Sequence, residues 1–257
     1  MASILDKYGI KEVADVMFYE IDKNGQPSTP VLYLDTLKVS TIEQTAEEAE
    51  AKGGKGNATL ISWDYGKDIT VTLEDALFSA KSMAIMFGNG TVDQTSTLKK
   101  TISWRATESG ASYPSTWEGP QGKTYTVPTA TGAVKTYDAE GTEITDFTDT
   151  TNGIKAGQVY YSTFDMAVTG GTIEVSANSF PGTYYVTGDT YARSEINGAD
   201  EFFQFIIPKA KVKSENTITL EAEGDPSVFN LSLHVLRPAG GGAMMKLVKY
   251  DVATPNG

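Results

Sequence analysis

Cysteine is absent from the chain, and histidine occurs once, at His234. The first absence removes disulfides, thiolate metal sites and cysteine nucleophiles together. With a single histidine beside it, most zinc sites and Cys–His catalysis are excluded as well. No apolar run approaches the roughly 20 residues needed to cross a bilayer as a helix. The start, Met1-Ala2-Ser3-Ile4-Leu5-Asp6-Lys7, has no basic stretch followed by an apolar one, so the sequence reads as a soluble protein made in the cytoplasm. Basic charge is also scarce: 21 Lys and Arg stand against 33 Asp and Glu, a formal net charge of −12. A chain of that sign does not wrap phosphate backbones, which takes clustered Lys and Arg.

Phosphate-cradling glycine motifs are missing too. Neither the P-loop pattern nor the dinucleotide fingerprint occurs, and Gly240-Gly241-Gly242 precedes a strand pattern, not a helix. There is no G-x-S-x-G elbow to serve a Ser–His–Asp triad. The alternating acids Asp138, Glu140 and Glu143 lack the spacing of a calcium loop and read as a solvated turn. His234 lies in the run 229–236, where parity places it with Asn230 and Ser232, opposite Phe229, Leu231, Leu233 and Val235. No catalytic, cofactor-binding or metal-binding residue is assigned.

What the chain does contain is alternation at period two, punctuated by Gly, Pro, Asn and Asp. Strands are expected at 14–22 and 31–35, with the Asn24-Gly25 turn between them. A hairpin is expected at 58–73, with its turn at Tyr65-Gly66-Lys67-Asp68. Further strands are expected at 101–106, 124–128, 159–168, 172–176, 182–187, 201–207, 216–221, 228–236 and 244–251. One helix stands out: Leu73, Leu77, Ala80, Ala84 and Phe87 recur at helical spacing, which predicts a helix packed on a sheet through those residues. Thr72 would cap it and Gly88-Asn89-Gly90 would stop it. The fold class is mainly β: a sandwich or barrel of two antiparallel sheets with one flanking α-helix.

Residues 38–57 show no apolar face and end in Gly53-Gly54-Lys55-Gly56-Asn57. We read them as an extended arm that orders against a neighbouring subunit, with Glu43, Glu47, Glu48, Glu50, Lys52, Gly53, Gly54 and Lys55 as its candidate contact residues. The whole chain, 1–257, is expected to be a single domain, with a loop-rich region or insertion at about 107–200. Trp63, Trp104 and Trp117 keep a carbohydrate-binding or adhesin-like module open as an alternative, and a hydrolase using paired acids is a third reading.

Two stretches carry a resemblance. One runs from Gly53 through Ala58-Thr59-Leu60-Ile61-Ser62-Trp63-Asp64 to Leu73-Glu74-Asp75-Ala76-Leu77; the other covers Ile207-Pro208-Lys209-Ala210-Lys211-Val212 and 217–229. Together they resemble the major tail proteins of long-tailed bacteriophages, the subunits of the tail tube. The resemblance implies a self-assembling, non-enzymatic virion protein without cofactors or membrane contact. It implies rings, commonly of six copies, stacked into a tube, with tape measure and terminator proteins as further partners. It also implies a channel through which DNA passes without specific binding, and acidic residues on its wall would keep phosphates from sticking.

Overall fold

Where apolar and polar residues alternate and no proline interrupts, the backbone can bury one face only by joining a sheet. A computed structural model describes residues 7–10, 12–88, 93–128, 133–173, 175–196, 198–215, 217–218 and 228–250 of the chain. It is mainly β, with antiparallel sheets consistent with a β-sandwich and one α-helix among the described residues. The backbone packs as two units, residues 1–92 with 173–257, and residues 93–172.

The first unit opens with β1 (Tyr8–Ile10), β2 (Asp15–Ile21), β3 (Pro27–Leu34), β4 (Leu37–Gly53), β5 (Ala58–Asp75) and α1 (Ala80–Phe87). The second contains β6 (Asp93–Arg105), β7 (Thr116–Glu118), β8 (Thr124–Thr126), β9 (Val134–Tyr137), β10 (Glu143–Ile144) and β11 (Val159–Thr172). The chain then returns to the first unit as β12 (Thr183–Ser194), β13 (Asp200–Val212), β14 (Phe229–Val235) and β15 (Lys246–Tyr250). The expected strand at 216–221 lies largely outside the described residues.

In the first unit the sheet order is β3-β2-β12-β13-β14-β5-β4, with β1 beside β12 and β15 beside β13. Val16 and Phe18 from β2, Val71 and Leu73 from β5, and Leu231 and Leu233 from β14 meet in one buried cluster. Strands near opposite ends of the order thus share one core, which a flat sheet would not permit. Ile85 and Met86 of α1 join the same cluster. β13 serves two partners in turn: its residues 202–206 pair with β15 and its residues 210–212 with β14. Pro208 falls at that switch, within a bulge opposite β12, where the ladder makes no demand on the proline's missing donor. Lys249 holds β15 in place, bound by Glu201 and by the Tyr8 hydroxyl at 2.5 Å; these partners raise its pKa, Glu201 most.

The helix is shorter than its periodicity implies. Leu73 is fully buried in β5, not in a helix, and Leu77 precedes α1 with 65% of its surface exposed. Residues 72–75 are claimed by the ladder, since β5 pairs with β14 on one side and β4 on the other. Asp75 ends the strand, accepting from the Thr36 hydroxyl at 2.5 Å and from the Leu77 N–H at 3.2 Å. The cap is therefore Ser79, not Thr72. Its hydroxyl accepts from Ser82 N at 3.0 Å, while Ser82 Oγ accepts from Ser79 N at 2.9 Å, a reciprocal capping box. Ala80 is the exposed first residue of α1, Ala84 is buried, and Phe87 is partly buried against the core. Gly88 closes the helix at φ +77°.

The second unit is built on β10-β9-β11-β6, with β7 and β8 as a separate hairpin. It has its own small cores, one around Ala106, Ile144, Ile154 and Tyr160, the other around Ile102, Val127 and Phe164. The buried hydroxyls of Thr136 and Ser162 bond at 2.8 Å, and Trp104 Nε1 donates to Ser162 Oγ at 2.9 Å. β12 and β13, which fall partly in the expected loop-rich stretch 107–200, belong to the first unit's large sheet.

Two substitutions test this core. Gly188 pairs with Phe205, and a Cβ there would come within 2.2 Å of the Phe205 ring. Gly188→Ala should destabilise the protein by about 1–3 kcal/mol, read by thermal or denaturant unfolding. Leu77→Asp, by contrast, should change stability by less than about 0.5 kcal/mol, whereas Leu73→Asp should abolish folding as seen by circular dichroism.

Candidate assembly surface

The long hairpin β4–β5 is the feature that the first unit's core does not explain. β14 pairs with β5 only over residues 70–75, so among the described residues β5 58–69 has β4 as its one partner strand. At about 3.3 Å per residue, these twelve residues carry the hairpin about 40 Å past its last neighbour. No residue from 43 to 67 is buried. The tip is Gly54-Lys55-Gly56-Asn57, where Gly54, Gly56 and Asn57 all take positive φ and Asn57 N donates to Gly54 O at 3.2 Å.

The arm expected from sequence at 38–57 is thus one strand of a regular ribbon and its turn. The expected turn at residues 65–68 does not exist: the chain runs straight through it. Gly66, at φ +61°, instead forms a bulge between the pairs Thr45–Asp68 and Glu47–Tyr65. From there to the pair Ala51–Ile61 the register is unbroken. Directly paired residues share a face, so Glu47, Ala49, Ala51, Ile61, Trp63 and Tyr65 lie on one side of the ribbon, with Glu47 its one charged member. Ile61, Trp63 and Tyr65 are 52%, 54% and 54% exposed. The segment 38–57 taken alone hides this face, because its large side chains all come from the returning strand.

The opposite side carries Glu48, Glu50, Ser62 and Asp64. Glu48 accepts from the Ser62 hydroxyl, and Glu50 accepts from Thr59 Oγ1 at 3.2 Å and meets Lys52 Nζ at 2.5 Å. Glu48 stands directly opposite Asp64, an arrangement of like charges that weakens an isolated hairpin. Glu43 is at the root, paired with Thr70, and Glu47 is paired with Tyr65, while Gly53, Gly54 and Lys55 form the tip. Residues 43–68 hold six acids against three lysines. At the root, His234 Nε2 lies 2.9 Å from Asp68 Oδ1, on the polar face that parity assigns it.

The outer strands of the sheet, β3 and β4, offer backbone edges that no described strand covers. Pro27 and Pro30 blunt part of the β3 edge. β4 has no proline in its 17 residues.

The three tryptophans sit in different surroundings, Trp63 in the first unit and Trp104 and Trp117 in the second. Trp104 packs on Tyr160 with ring centroids 5.5 Å apart. Trp117 is stacked on Tyr125 at 4.7 Å, with Lys100 Nζ 4.2 Å from its ring centre. Of the three, only Trp63 presents an exposed ring. Among the described residues no group of three His, Asp or Glu side chains is placed to hold a metal ion, and no helix is long and apolar enough to cross a membrane.

A model of the YomU/Tube protein family matches residues 8–247. The chain belongs to that family. It is a family of phage tail tube proteins, so this is a tube-type structural protein and a virion component. No curated protein matches the chain. Membership of a tube family gives the long hairpin and the open sheet edges a context in self-assembly.

Replacing residues 46–67 with Asn-Gly would close the hairpin at the directly paired residues Thr45 and Asp68. Because no buried residue leaves, the variant should keep its circular dichroism spectrum and melt within about 4 °C of the parent.

Proposed function

We propose that this protein forms closed rings, six copies each, that stack into the phage tail tube, with the β4–β5 arm bridging from one ring to the next. The observation that carries the reading is the arm itself: a ribbon that runs about 40 Å past its last neighbouring strand, with no buried side chain from residue 43 to residue 67. A hairpin ordered this far from its core gains its stability from a surface outside the subunit. The candidate contact residues Glu43, Glu47, Glu48, Glu50, Lys52, Gly53, Gly54 and Lys55 all lie on it.

Ring closure follows from the remaining edges. A head-to-tail contact joining the β4 root of one copy to the β3 edge of the next would pair both edges, and a closed rotation would leave none exposed. Val31–Leu34, beyond the prolines, is the part of β3 suited to that role. The net charge of −12 supports a channel in which DNA slides by repulsion rather than adhering. Tape measure and terminator proteins are the expected partners at the bore and the end of such a tube. The protein does no chemistry in this role.

Negative-stain electron microscopy of the purified full chain, with light scattering on the same sample, tests the reading. Rings or hollow tubes of uniform bore are the expected result. Compact monomers that persist at high concentration would count against it. The variant with residues 46–67 replaced by Asn-Gly should form rings at most, and no tubes.

A further inference from the structure

Resting on that assembly reading, we infer that the arm docks through one face only: Ile61, Trp63 and Tyr65, with Ala49 and Ala51 beside them, lie against a second copy of this chain, while the Glu48–Glu50–Asp64 face stays in solvent. The five residues form a stripe from the Ala51–Ile61 pair to Tyr65, where Glu47 beside Tyr65 is the single carboxylate on that face. Register shifts bound the stripe at both ends, next to Lys52 and next to Gly66. The alanines leave room on β4, so the large side chains of β5 stand proud of the ribbon.

Charge decides which face meets the partner. A second copy carries the same net charge of −12. The acidic face approaching such a copy would add like-charge repulsion and desolvate carboxylates. Its carboxylates are instead served within the hairpin by Ser62, Thr59 and Lys52. It also keeps Glu48 opposite Asp64 against the local preference of a β-ribbon. The other face carries one carboxylate, Glu47, against three on the acidic face, and its Trp63 and Tyr65 side chains are more than half exposed.

Size sets the kind of contact. Ile61, Trp63 and Tyr65 leave roughly 400 Å² in water. That is about half of what one partner contributes to a stable two-body interface. The stripe is therefore too small to dimerise the free subunit and suited to a contact repeated many times around a ring, where each arm adds to the others.

The absence of native cysteine makes the test clean. Ala49→Cys places a lone thiol on the apolar face, and Ser62→Cys places one on the acidic face. Maleimide labelling is timed on free subunits and on sedimented polymer. The Ala49→Cys thiol should slow by about tenfold or more in polymer, while Ser62→Cys changes by less than about twofold. Equal rates at Ala49→Cys in both states, or protection of Ser62→Cys, overturns the face assignment. Should the thiol variants not polymerise, Trp63→Asp and the double variant Glu48→Gln/Glu50→Gln decide. A folded, non-polymerising Trp63→Asp beside a polymerising double variant supports the inference, and the reverse, or no difference, overturns it. Failure of the assembly reading looks different: the chain with native residues forms no polymer, or tubes still extend after residues 46–67 are replaced.

Discussion

The structure depends on one strand that belongs to two environments. β5 is 18 residues long, and its end at Val71 and Leu73 is held in the core between β4 and β14. That anchoring fixes the register of the pairing with β4. The shift at Gly66 then resets the register, and from there to the Ala51–Ile61 pair it dictates which side chains face which way. The Gly66 bulge sits where buried β-sheet gives way to exposed hairpin.

Much of the fold was legible in the sequence, for a physical reason. The run 229–235 alternates without exception, and a sheet can satisfy it in only one way; His234 accordingly sits on the polar side while Phe229, Leu231, Leu233 and Val235 are buried. The helix was half legible. Leu73, Leu77, Ala80 and Ala84 fit a helical period, yet Val71, Leu73 and Asp75 also fit a strand period. Two neighbouring strands offered residues 72–75 more hydrogen bonds than a helical turn could. The weaker claim survived only from Ser79 onward, where a serine pair supplied a cap.

The arm was legible as an excursion and illegible as a surface. Read as a stretch of sequence, 38–57 has small and acidic residues and no stripe. The stripe exists only across strands, through the pairing of Ala49 with Trp63 and Ala51 with Ile61. Tyr65-Gly66-Lys67-Asp68 has the composition of a turn. The hairpin turned instead at the glycines of 53–56, where two positive-φ positions were already supplied, and Gly66 was taken up as a bulge. The acidic loops of the second unit gave no signal of their packing, because their order comes from side-chain caps such as Asp138 accepting from Thr142 N at 2.7 Å.

The manner in which the second unit is attached carries a consequence for how such a chain can change over time. Its first and last strands, β6 and β11, are paired with each other from Asp93–Thr172 to Arg105–Val159, so the backbone leaves and re-enters at adjacent points. Its apolar clusters are drawn from its own residues. A module joined in this way places little constraint on its host: lengthening, exchanging or losing it leaves the host's two cut ends within one strand spacing of each other. The two units are therefore free to diversify at different rates.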